Sequence, residues 1–567
     1  MLARRGMTHA RAMRKRPNIA VVGAGWAGLA CARLLQDNGF QVKVFEASRT
    51  IGGRARGLQV KLGAETYDLD NGQHLLIGAY RAVRALLTRY GNPQSYRFDA
   101  PDFRIRFQRA SSSQSISQPM SQTMSQPMQL AKSGWPRQLH RMLATDPRPA
   151  GKQQSNQLLD RLALGLSQLS WLSGARSIPW PSLLELAALM RYARLQPPPM
   201  SCSVTSWLSG LGLRQSLVQR WIAALCESAL NCPFDEACAM RLATVLNEAM
   251  ASPQFDASDW MHQACDLSEL LANGLAQGSA ATTAKSEASA LELYTANRVV
   301  GLTASPSSGD QAFTTHTWKL AIAGSDEHVG PFDALILALE PQSALALAIA
   351  SQGAASDPPR CLLRLHKLLD DLPKPLGILT RWLMLPDATR HCAGSNKRHD
   401  GVGAGVFRTP EALKPELLLK AHGPSAWLFP RSNKPFQNAS SASDSSQAFG
   451  LVISAQRDPV QARSYADAIQ EDFDLRPLSH KDVYEHRAAT PSVAQRMWPA
   501  FNHFESEGLW LAGDWVADNS GQMLPASLES ALRSAFACAQ AIESREWQMR
   551  TGKRLTEVPA YAAPSSG

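Results

Sequence analysis

The sequence lacks a long uninterrupted apolar segment. It contains no run of 18 or more uncharged apolar residues, so a membrane-spanning helix is not predicted. Hydrophobic residues make up 44% of the chain and charged residues 19%, as in folded soluble proteins. A chain of 567 residues is too long for one ordinary hydrophobic core, so we predict two interleaved domains.

Cysteines in the spacing of a metal site or a disulfide framework are also missing. The sequence has nine cysteines, an odd number, and the three that come closest together, Cys226, Cys232 and Cys238, are six residues apart. This spacing fits neither CxxC pairs nor a zinc site. We therefore predict reduced, buried thiols, a cytoplasmic protein and no bound metal.

Acidic residues are absent from the first 16 positions, which carry six basic residues and contribute to the net charge of +10. The segment has no apolar stretch like that of a secretory signal, so its paired arginines do not indicate export. We interpret residues 1–16 as a solvated, disordered tail. An arm that binds nucleic acid or a membrane surface is the alternative.

Three internal segments lack any apolar period: 111–129, 276–290 and 436–447. They are rich in Ser with Gln, Ala, Thr or Asn, and they cannot bury enough apolar surface to offset their ordering entropy. We predict long surface loops without chemistry.

The ordered part of the chain begins with a β-α-β pattern. The apolar run Asn18–Val22 predicts a buried strand, Leu29–Gln36 predicts a helix, and Gln41–Glu46 predicts a second strand. A largely helical pattern extends over 157–275. Sheet patterns resume at Leu291–Val300, Thr315–Ala323 and Ala334–Leu339, and a final strand-turn-helix begins at Gly508. A parallel sheet assembled from both ends of the chain is therefore predicted, with a helical unit inserted between them.

The first motif is the glycine-rich turn between that strand and helix, Gly23-Ala24-Gly25-Trp26-Ala27-Gly28. Gly23 permits the tight turn, Gly25 lets a pyrophosphate approach the backbone, and Gly28 lets helix and strand pack closely. Glu46 ends the second strand, where a carboxylate accepts hydrogen bonds from ribose hydroxyls. The motif predicts a dinucleotide site at the helix N-terminus.

The second motif favours FAD over NAD. Glu46 is followed by Ala47 and, a few residues later, by Gly52, Gly53 and Arg54. A flexible glycine pair beside an arginine can wrap the phosphates a second time, with the guanidinium paired to them. An ordinary loop with an exposed arginine is the alternative. No second GxGxxG module supports a nicotinamide site.

The third motif lies near the other end of the chain. Gly513 and Asp514 end a short apolar run, and Pro525, Ala526 and Ser527 open a helix. Asp514 can bond a ribityl hydroxyl, and the helix start can present amides to the flavin or the pyrophosphate. A simple strand-turn-helix is the alternative.

Together these motifs resemble the superfamily of flavin amine oxidases and carotenoid desaturases. Within it, Leu69–Tyr80 (LDNGQHLLIGAY) is similar to the hydroxysqualene dehydroxylases, the squalene-associated FAD-dependent desaturases of bacterial hopanoid synthesis. Trp427–Arg431, Glu485–Thr490 and Cys226–Asn231 resemble further segments of that family. The resemblance covers about residues 17–545. The family has glycines where this chain has Met523, Ser530 and Ala535, and a side chain at Ser530 is expected to crowd the flavin-facing helix.

The resemblance implies an α/β fold in which a Rossmann-type FAD-binding domain interleaves with a substrate-binding domain that contains a helical insertion. The expected division is a tail at 1–16, an FAD-binding domain at 17–110, 276–345 and 500–546, a low-complexity insertion at 111–156, a substrate-binding domain at 157–275 and 346–499, and a tail at 547–567. It also places Asn71, Gly72, Gln73 and Val299 at the cofactor.

The family's chemistry, reduction of hydroxysqualene to squalene with reduced FAD, implies further roles. A hydroxyl that leaves as water needs a proton donor, and the resulting allylic cation needs a dry, preferably aromatic site. His74 is the first candidate for the donor, with a backbone-satisfying turn histidine as its alternative. Glu485 and His486 are further candidates. Trp207 and Trp221 could line a tunnel for a long isoprenoid or belong to the core.

A squalene-sized substrate is insoluble and must come from a bilayer or from a neighbouring squalene-pathway enzyme. We therefore expect peripheral contact with the inner face of the membrane through an apolar patch of the helical unit, aided by the positive charge. Rival interpretations are a carotenoid desaturase, an amine oxidase, or a non-catalytic flavin- or lipid-binding protein. A nucleic-acid partner is not expected, since only the basic tail favours one.

Overall fold

The computed structural model describes residues 16–108, 128–144, 157–213, 217–250, 252, 254–278, 290–307, 313–353, 359–372, 374–385, 414–420, 425–431, 448–487, 499–518 and 524–551. The predicted basic tail except Arg16, the predicted loops except their end residues, and Met523 lie outside these ranges.

Strands and helices are numbered here in chain order. The strands are β1 (Asn18–Val22), β2 (Gln41–Phe45), β3 (Gly57–Leu62), β4 (Glu65–Asp70), β5 (Tyr96–Asp99), β6 (Asp102–Phe107), β7 (Met128–Ala131), β8 (Trp260–Gln263), β9 (Glu292–Tyr294), β10 (Val299–Pro306), β11 (His316–Ile322), β12 (His328–Phe332), β13 (Ala334–Leu337), β14 (Leu376–Met384), β15 (Glu416–Leu419), β16 (Ala426–Arg431), β17 (Ala448–Gln456), β18 (Ser479–Arg487) and β19 (Leu509–Leu511). The helices are α1 (Trp26–Asp37), α2 (Arg81–Tyr90), α3 (Gly134–Ala144), α4 (Gln157–Gly174), α5 (Trp180–Leu195), α6 (Val204–Gly210), α7 (Leu217–Leu230), α8 (Ala239–Ala249), α9 (Asn273–Gln277), α10 (Pro341–Gly353), α11 (Arg360–Asp370), α12 (Pro459–Asp472) and α13 (Leu528–Thr551).

A five-stranded parallel sheet joins the two ends of the chain, as predicted. Its order is β19-β13-β1-β2-β9, with Ile19 of β1 level with Ala334 on one side and Val42 on the other. Every residue of β1 after Asn18 is buried, because α1 and β12 pack on this strand and α13 packs on α1 in the same core. The predicted Rossmann-type α/β fold is confirmed at this sheet.

The segment predicted as one strand at Leu291–Val300 is two strands, β9 and the start of β10. Ala296 has a left-handed backbone (φ 57°) and turns the chain between them. β9 joins the parallel sheet, and β10 begins a three-stranded antiparallel sheet in the order β10-β11-β12.

A seven-stranded sheet, in the order β18-β14-β17-β16-β15-β6-β7, forms the second half of the molecule. Its two faces differ because side chains alternate along each strand. On the outer face, Leu379 and Leu383 of β14 pack on α12, and Arg381 pairs with Asp482 at 2.7 Å. On the inner face, Ile378 packs beneath α5–α8, and Trp382 packs on the β3–β4 hairpin.

The observed cores divide the chain differently from the predicted boundaries at 110, 275 and 346. β6 belongs to the seven-stranded sheet, because it pairs in parallel with β15. Conversely, Leu267–Ala276 and the apolar sides of α10 and α11 pack into the core of the parallel sheet. The points at which the chain passes from one unit to the other therefore differ by several residues from the boundaries predicted from composition.

In the part of the chain that the structure describes, no helix combines the length and the apolar character needed to cross a bilayer.

Candidate functional site

The three motif glycines are required for different reasons. Gly23 has φ +105°, and a Cβ there would lie 2.4 Å from the carbonyl oxygen of Ala338. A Cβ on Gly28 would lie 2.0 Å from the carbonyl oxygen of Gly23, so the protein's own packing excludes it. At Gly25 the nearest heavy atom would be 3.9 Å away, at Gly53 Cα. Gly25 therefore leaves free space beside the helix start.

Helix α1 begins at this free space. Gly25 is its N-cap and the cap has no side-chain hydrogen bond, which leaves first-turn amides for a ligand. Trp26 and Ala27 are buried in the core behind the turn. Ala24 is buried too, and its carbonyl oxygen accepts from Gly52 N at 2.8 Å. The arrangement suits a pyrophosphate, since the amides and the helix dipole favour negative charge.

Glu46 is positioned from both sides at the end of β2. One carboxylate oxygen accepts from Ala24 N and the other from Ser48 N, each at 2.8 Å. Its backbone bonds Tyr294 and Asn297 from the neighbouring strand and turn. Each carboxylate oxygen retains acceptor capacity, so the residue can bind ribose hydroxyls while it holds the glycine turn. Ala47, the next residue, is exposed.

The second glycine motif meets the first. Gly25 and Gly52 form an isolated parallel bridge, and a Cβ on Gly53 would lie 3.0 Å from Gly25 Cα. Arg54 then donates to Asp514 Oδ1 at 2.7 Å and to the carbonyl of His486 at 3.5 Å. Burial alone would lower the pKa of Arg54, but the Asp514 carboxylate raises it, so the guanidinium stays charged beside the turn.

The third motif reaches the same place from the C-terminal end. Gly513 has φ +155° and donates to Ser534 Oγ at 2.9 Å, which ties the end of β19 to α13. Asp514 follows and is mostly buried against Arg54. Pro525 is buried and Ala526 half-buried at the approach to α13.

Ser530, which was expected to crowd the flavin-facing helix, is hydrogen-bonded at the start of its own helix. Ser527 N donates to Ser530 Oγ at 2.9 Å, and Ser530 N donates to Ser527 Oγ at 3.2 Å. This reciprocal pair caps the N-terminus of α13. The Ser530 hydroxyl also donates to Ser527 O at 2.8 Å, so the side chain folds against its own helix. Ala535 is fully buried in the core of the parallel sheet.

The Asp70–Gln73 turn connects the two units. Asp70 is fully buried and accepts from Gln263 Nε2 (2.7 Å), Leu267 N (2.8 Å) and the Arg431 guanidinium (3.1 Å). Burial raises its pKa to about 6, against the opposing effect of Arg431. Asn71 donates to the Arg54 carbonyl at 3.4 Å. Asp70 is thus a structural anchor that sequence reasoning did not single out.

Beyond this turn, a few polar atoms stand on the inner face of the seven-stranded sheet. A Cβ on Gly72 (φ +99°) would lie 2.8 Å from Glu485 Oε1, and Gln73 N donates to Thr380 Oγ1 at 3.1 Å. Gln73 Oε1 is buried and has no partner among the described residues. It lies 3.4 Å from the place of a Cβ on Gly450, and the Trp382 ring lies 3.1 Å from the same place, so these two side chains pack over the glycine.

An aromatic cluster extends from this place under the helical unit. Its members are Phe103, Trp260, Trp427 and Phe429, with ring centroids 5.4–6.4 Å apart. The similarity of Trp427–Arg431 to the family pointed toward β16, but the cluster also takes Phe103 from β6 and Trp260 from β8, which are distant segments of the chain. Sequence analysis missed the cluster for this reason.

The proposed proton donors fall in different places. Glu485 is 6% exposed and shares the inner face with Ile378, its partner on β14. His486, next along β18, belongs to the outer face. There its exposed ring contacts Tyr484 at 5.3 Å, and only its carbonyl reaches Arg54. The structure therefore separates His486 from Glu485. His74 is half-buried beside Gln73.

The remaining predicted contacts belong to the two cores. Trp207 and Trp221 are buried in the second core, on α6 and α7. Val299 opens β10 and packs against the core of the parallel sheet.

Asn231, in the family-like segment Cys226–Asn231, has a structural role. Its backbone is left-handed (φ 46°), and its amide bonds Leu376 O at 3.1 Å and Ala455 N at 3.0 Å. It thereby joins the end of α7 to β14 and β17.

Glu227 lies one helical turn before Asn231 in α7. Burial and the Asp235 carboxylate raise the pKa of Glu227 to about 7.

Comparison with known proteins agrees with this geometry. The family model for flavin-containing amine oxidoreductases matches residues 26–349, and the chain belongs to that family. An oxidoreductase from Methanosarcina mazei has the same fold, with a TM-score of 0.53 at 13% identity over 91% of this chain and 98% of that one. Cyclohexylamine oxidase from Brevibacterium oxydans gives 0.51 at 13% identity over 94% and 100%. This protein is an FAD-dependent oxidoreductase, and the predicted cofactor is confirmed.

More specific similarity is local. Hydroxysqualene dehydroxylase from Zymomonas mobilis is 40% identical over 82 residues, which are 14% of this chain and 19% of that protein. Carotenoid phi-ring synthase from Streptomyces griseus is 38% identical over 74 residues, 13% of this chain and 14% of that protein. The matches thus span less than a fifth of these relatives. The resemblance to hydroxysqualene dehydroxylases is confirmed over the matched stretch.

Proposed function

We propose that this chain converts hydroxysqualene to squalene by reductive removal of the hydroxyl group, in squalene and hopanoid biosynthesis. The observation that carries the proposal is the inner face of the seven-stranded sheet. It is apolar and aromatic, and it presents isolated polar groups, Gln73, Thr380 and Glu485, next to the Asp70–Gln73 turn. The local similarity to hydroxysqualene dehydroxylases supports the same substrate.

The reaction makes three demands on the protein. The C–O bond breaks, the hydroxyl leaves as water after it takes a proton, and the carbon receives a hydride. Reduced FAD, when bound, would supply the hydride, which carries both electrons of the reduction. The side chains supply the proton, a dry site and stabilisation of positive charge on the allylic carbon.

Glu485 and His74 are the proposed groups for the proton. Glu485 is buried on the inner face, and His74 is half-buried beside Gln73, whose Oε1 can accept a hydrogen bond from the substrate's hydroxyl. The aromatic faces of Trp427 and Phe429 can stabilise a cationic centre, and their burial excludes water.

Product analysis of the FAD-loaded protein tests the proposal. Hydroxysqualene in detergent, under anaerobic reducing conditions, is expected to give squalene. Glu485→Gln or His74→Ala is expected to slow turnover by about 100-fold or more while FAD is retained, as for loss of a general acid. His486→Ala is the matched control, because the neighbouring ring lies on the outer face. Absence of squalene from the unaltered enzyme would refute the function.

A carotenoid-type desaturase is the second candidate, favoured by the similarity to carotenoid phi-ring synthase. Such an enzyme would use the same apolar site but would oxidise its substrate and reduce FAD. Phytoene offered under oxidising conditions, with hydroxysqualene offered under reducing conditions, distinguishes the two functions by which substrate is consumed.

A further inference from the structure

Two tryptophans stand exposed at the beginnings of helices in the helical unit. Trp135, in the first turn of α3, and Trp180, the first residue of α5, each expose 65% of their surface. A single exposed apolar side chain is ordinary on a protein surface. Two exposed indoles gain significance if the fold places them together.

Hydrogen bonds bring these two helix starts to one end of the unit. Ser133 N donates to Ser170 O at 3.0 Å, and Ser173 Oγ donates to Ser133 O at 2.6 Å, so α3 begins beside the end of α4. Arg176, just after α4, pairs with Gln129 just before α3, and α5 begins four residues later. Trp135 and Trp180 therefore lie at the same end of the unit.

Further exposed apolar side chains continue this surface. Leu139 follows Trp135 by one helical turn, Leu184 follows Trp180 by one turn, and Leu169 lies in the last turns of α4. A spacing of four residues keeps each pair on one side of its helix. We name these three leucines, together with Trp135 and Trp180, the tryptophan face.

The charge around the tryptophan face is mainly positive. Segments 134–144 and 157–195 contain six arginines and two acidic residues, Asp160 and Glu185. Five of the arginines are exposed: Arg141, Arg161, Arg176, Arg191 and Arg194. Within the described ranges, none of the five is ion-paired with a carboxylate, whereas many other surface arginines are.

We propose that the tryptophan face docks on an anionic lipid bilayer. Indole rings favour the boundary between headgroups and acyl chains, and arginines beside them pair with lipid phosphates. A surface of this kind attracts an anionic leaflet and would repel a basic protein partner. Docking would present the helical unit, and the inner face that it covers, to a substrate dissolved in the bilayer. This last point rests on the proposed function; the docking itself does not.

Vesicle binding by the full-length, FAD-loaded protein tests the docking without any substrate. Co-sedimentation is expected with vesicles of phosphatidylcholine and phosphatidylglycerol, and much less with phosphatidylcholine alone. Trp135→Ser combined with Trp180→Ser is expected to lower the partition coefficient on the order of tenfold or more. Arg176→Gln, which removes the exposed arginine nearest the two helix starts, is expected to lower it about fivefold, and salt should weaken binding.

Matched controls come from the opposite side of the seven-stranded sheet. Val460 and Leu478 are each 68% exposed, and Val460→Ser with Leu478→Ser removes comparable apolar surface there. Arg476→Gln removes an exposed charge from the same side. Neither control should change vesicle binding.

Three outcomes would overturn the docking proposal. The first is equal binding of the protein to neutral and anionic vesicles, and the second is unchanged vesicle binding by the double tryptophan variant. The third is that the natural protein self-associates but does not bind vesicles, and that the double variant does not self-associate. The last would identify a second copy of the chain as the occupant. Turnover in detergent should be unaffected by the double variant, so failure of docking and failure of the proposed function are distinguished.

Discussion

Gly25 and Gly28 show how one motif serves two purposes. At Gly28 the chain excludes any side chain, because a Cβ would lie 2.0 Å from a carbonyl oxygen of the preceding turn. At Gly25 the chain leaves room that it does not itself use. The spacing of the motif predicts both roles. Only the contacts show that Gly28 is required for packing of the protein itself and that Gly25 leaves space for a ligand.

Gly25→Val is therefore expected to weaken FAD binding by on the order of 100-fold, about 2.7 kcal/mol, with the apoprotein still folded. Gly28→Ala is expected to destabilise the apoprotein itself by about 1–3 kcal/mol or more, through overpacking. Flavin titration and thermal unfolding of both variants measure the two effects. Undiminished FAD affinity of the valine variant would contradict the assigned site.

Asp70 links stability to pH. Its ordinary pKa is 3.8, and burial raises the pKa to about 6 in the folded protein. Between these values the unfolded chain releases a proton that the folded protein keeps. The contribution of Asp70 to stability is therefore full below the lower pKa, falls as the pH rises through this window, and is constant above it.

Asp70→Asn removes this titration. The stability advantage of the natural protein over the variant is expected to shrink by about 3 kcal/mol between about pH 3 and about pH 7. Denaturant unfolding across that range measures it, with Asp68→Asn as the control because Asp68 is exposed on the same strand. A difference that does not vary with pH would rule out the raised pKa.

The start of α13 accommodates a serine, Ser530, by using it in a helix cap. Ser530 replaces the glycine expected from the family, and its hydroxyl pairs with Ser527 at the start of the helix. Local geometry of this kind cannot be foreseen from the replacement alone, since a serine can cap or crowd a helix.

Ser527→Ala is expected to destabilise the protein by about 1 kcal/mol through loss of the cap. Because the two hydroxyls act as a pair, Ser530→Ala added to it should cost less than the sum of the separate changes. Denaturant unfolding of the three variants measures the coupling. Strict additivity would show that the reciprocal cap contributes nothing.

Strands and helices that depend on neighbouring residues were predictable from the sequence, and contacts that depend on pairing between distant strands were not. The sequence of β1, α1 and β2 is continuous and predicts all three elements. Helix α1 begins at Trp26 instead of the predicted Leu29, because Gly25 is its N-cap. Glu485 and His486 are adjacent in sequence. Only the register of β18 on β14 decides that one faces the cofactor side and the other faces solvent.

At the scale of the molecule, the parallel sheet and the seven-stranded sheet meet at the Asp70–Gln73 turn. The turn's own residues were predictable from family resemblance, whereas the aromatic cluster requires strands that are more than 300 residues apart in the chain. The domain boundaries followed composition in the prediction, but packing places α10 and α11 with the parallel sheet. Function therefore depends on contacts that cross the whole chain.

The central claim is that FAD held at the glycine turn delivers its electrons to a substrate at the inner face of the seven-stranded sheet. Anaerobic mixing of the fully reduced protein with one equivalent of hydroxysqualene tests this claim most directly. The account predicts that the absorbance of oxidised flavin returns and that one squalene forms for each flavin oxidised. A flavin that stays reduced in the presence of hydroxysqualene, with no squalene formed, would contradict it.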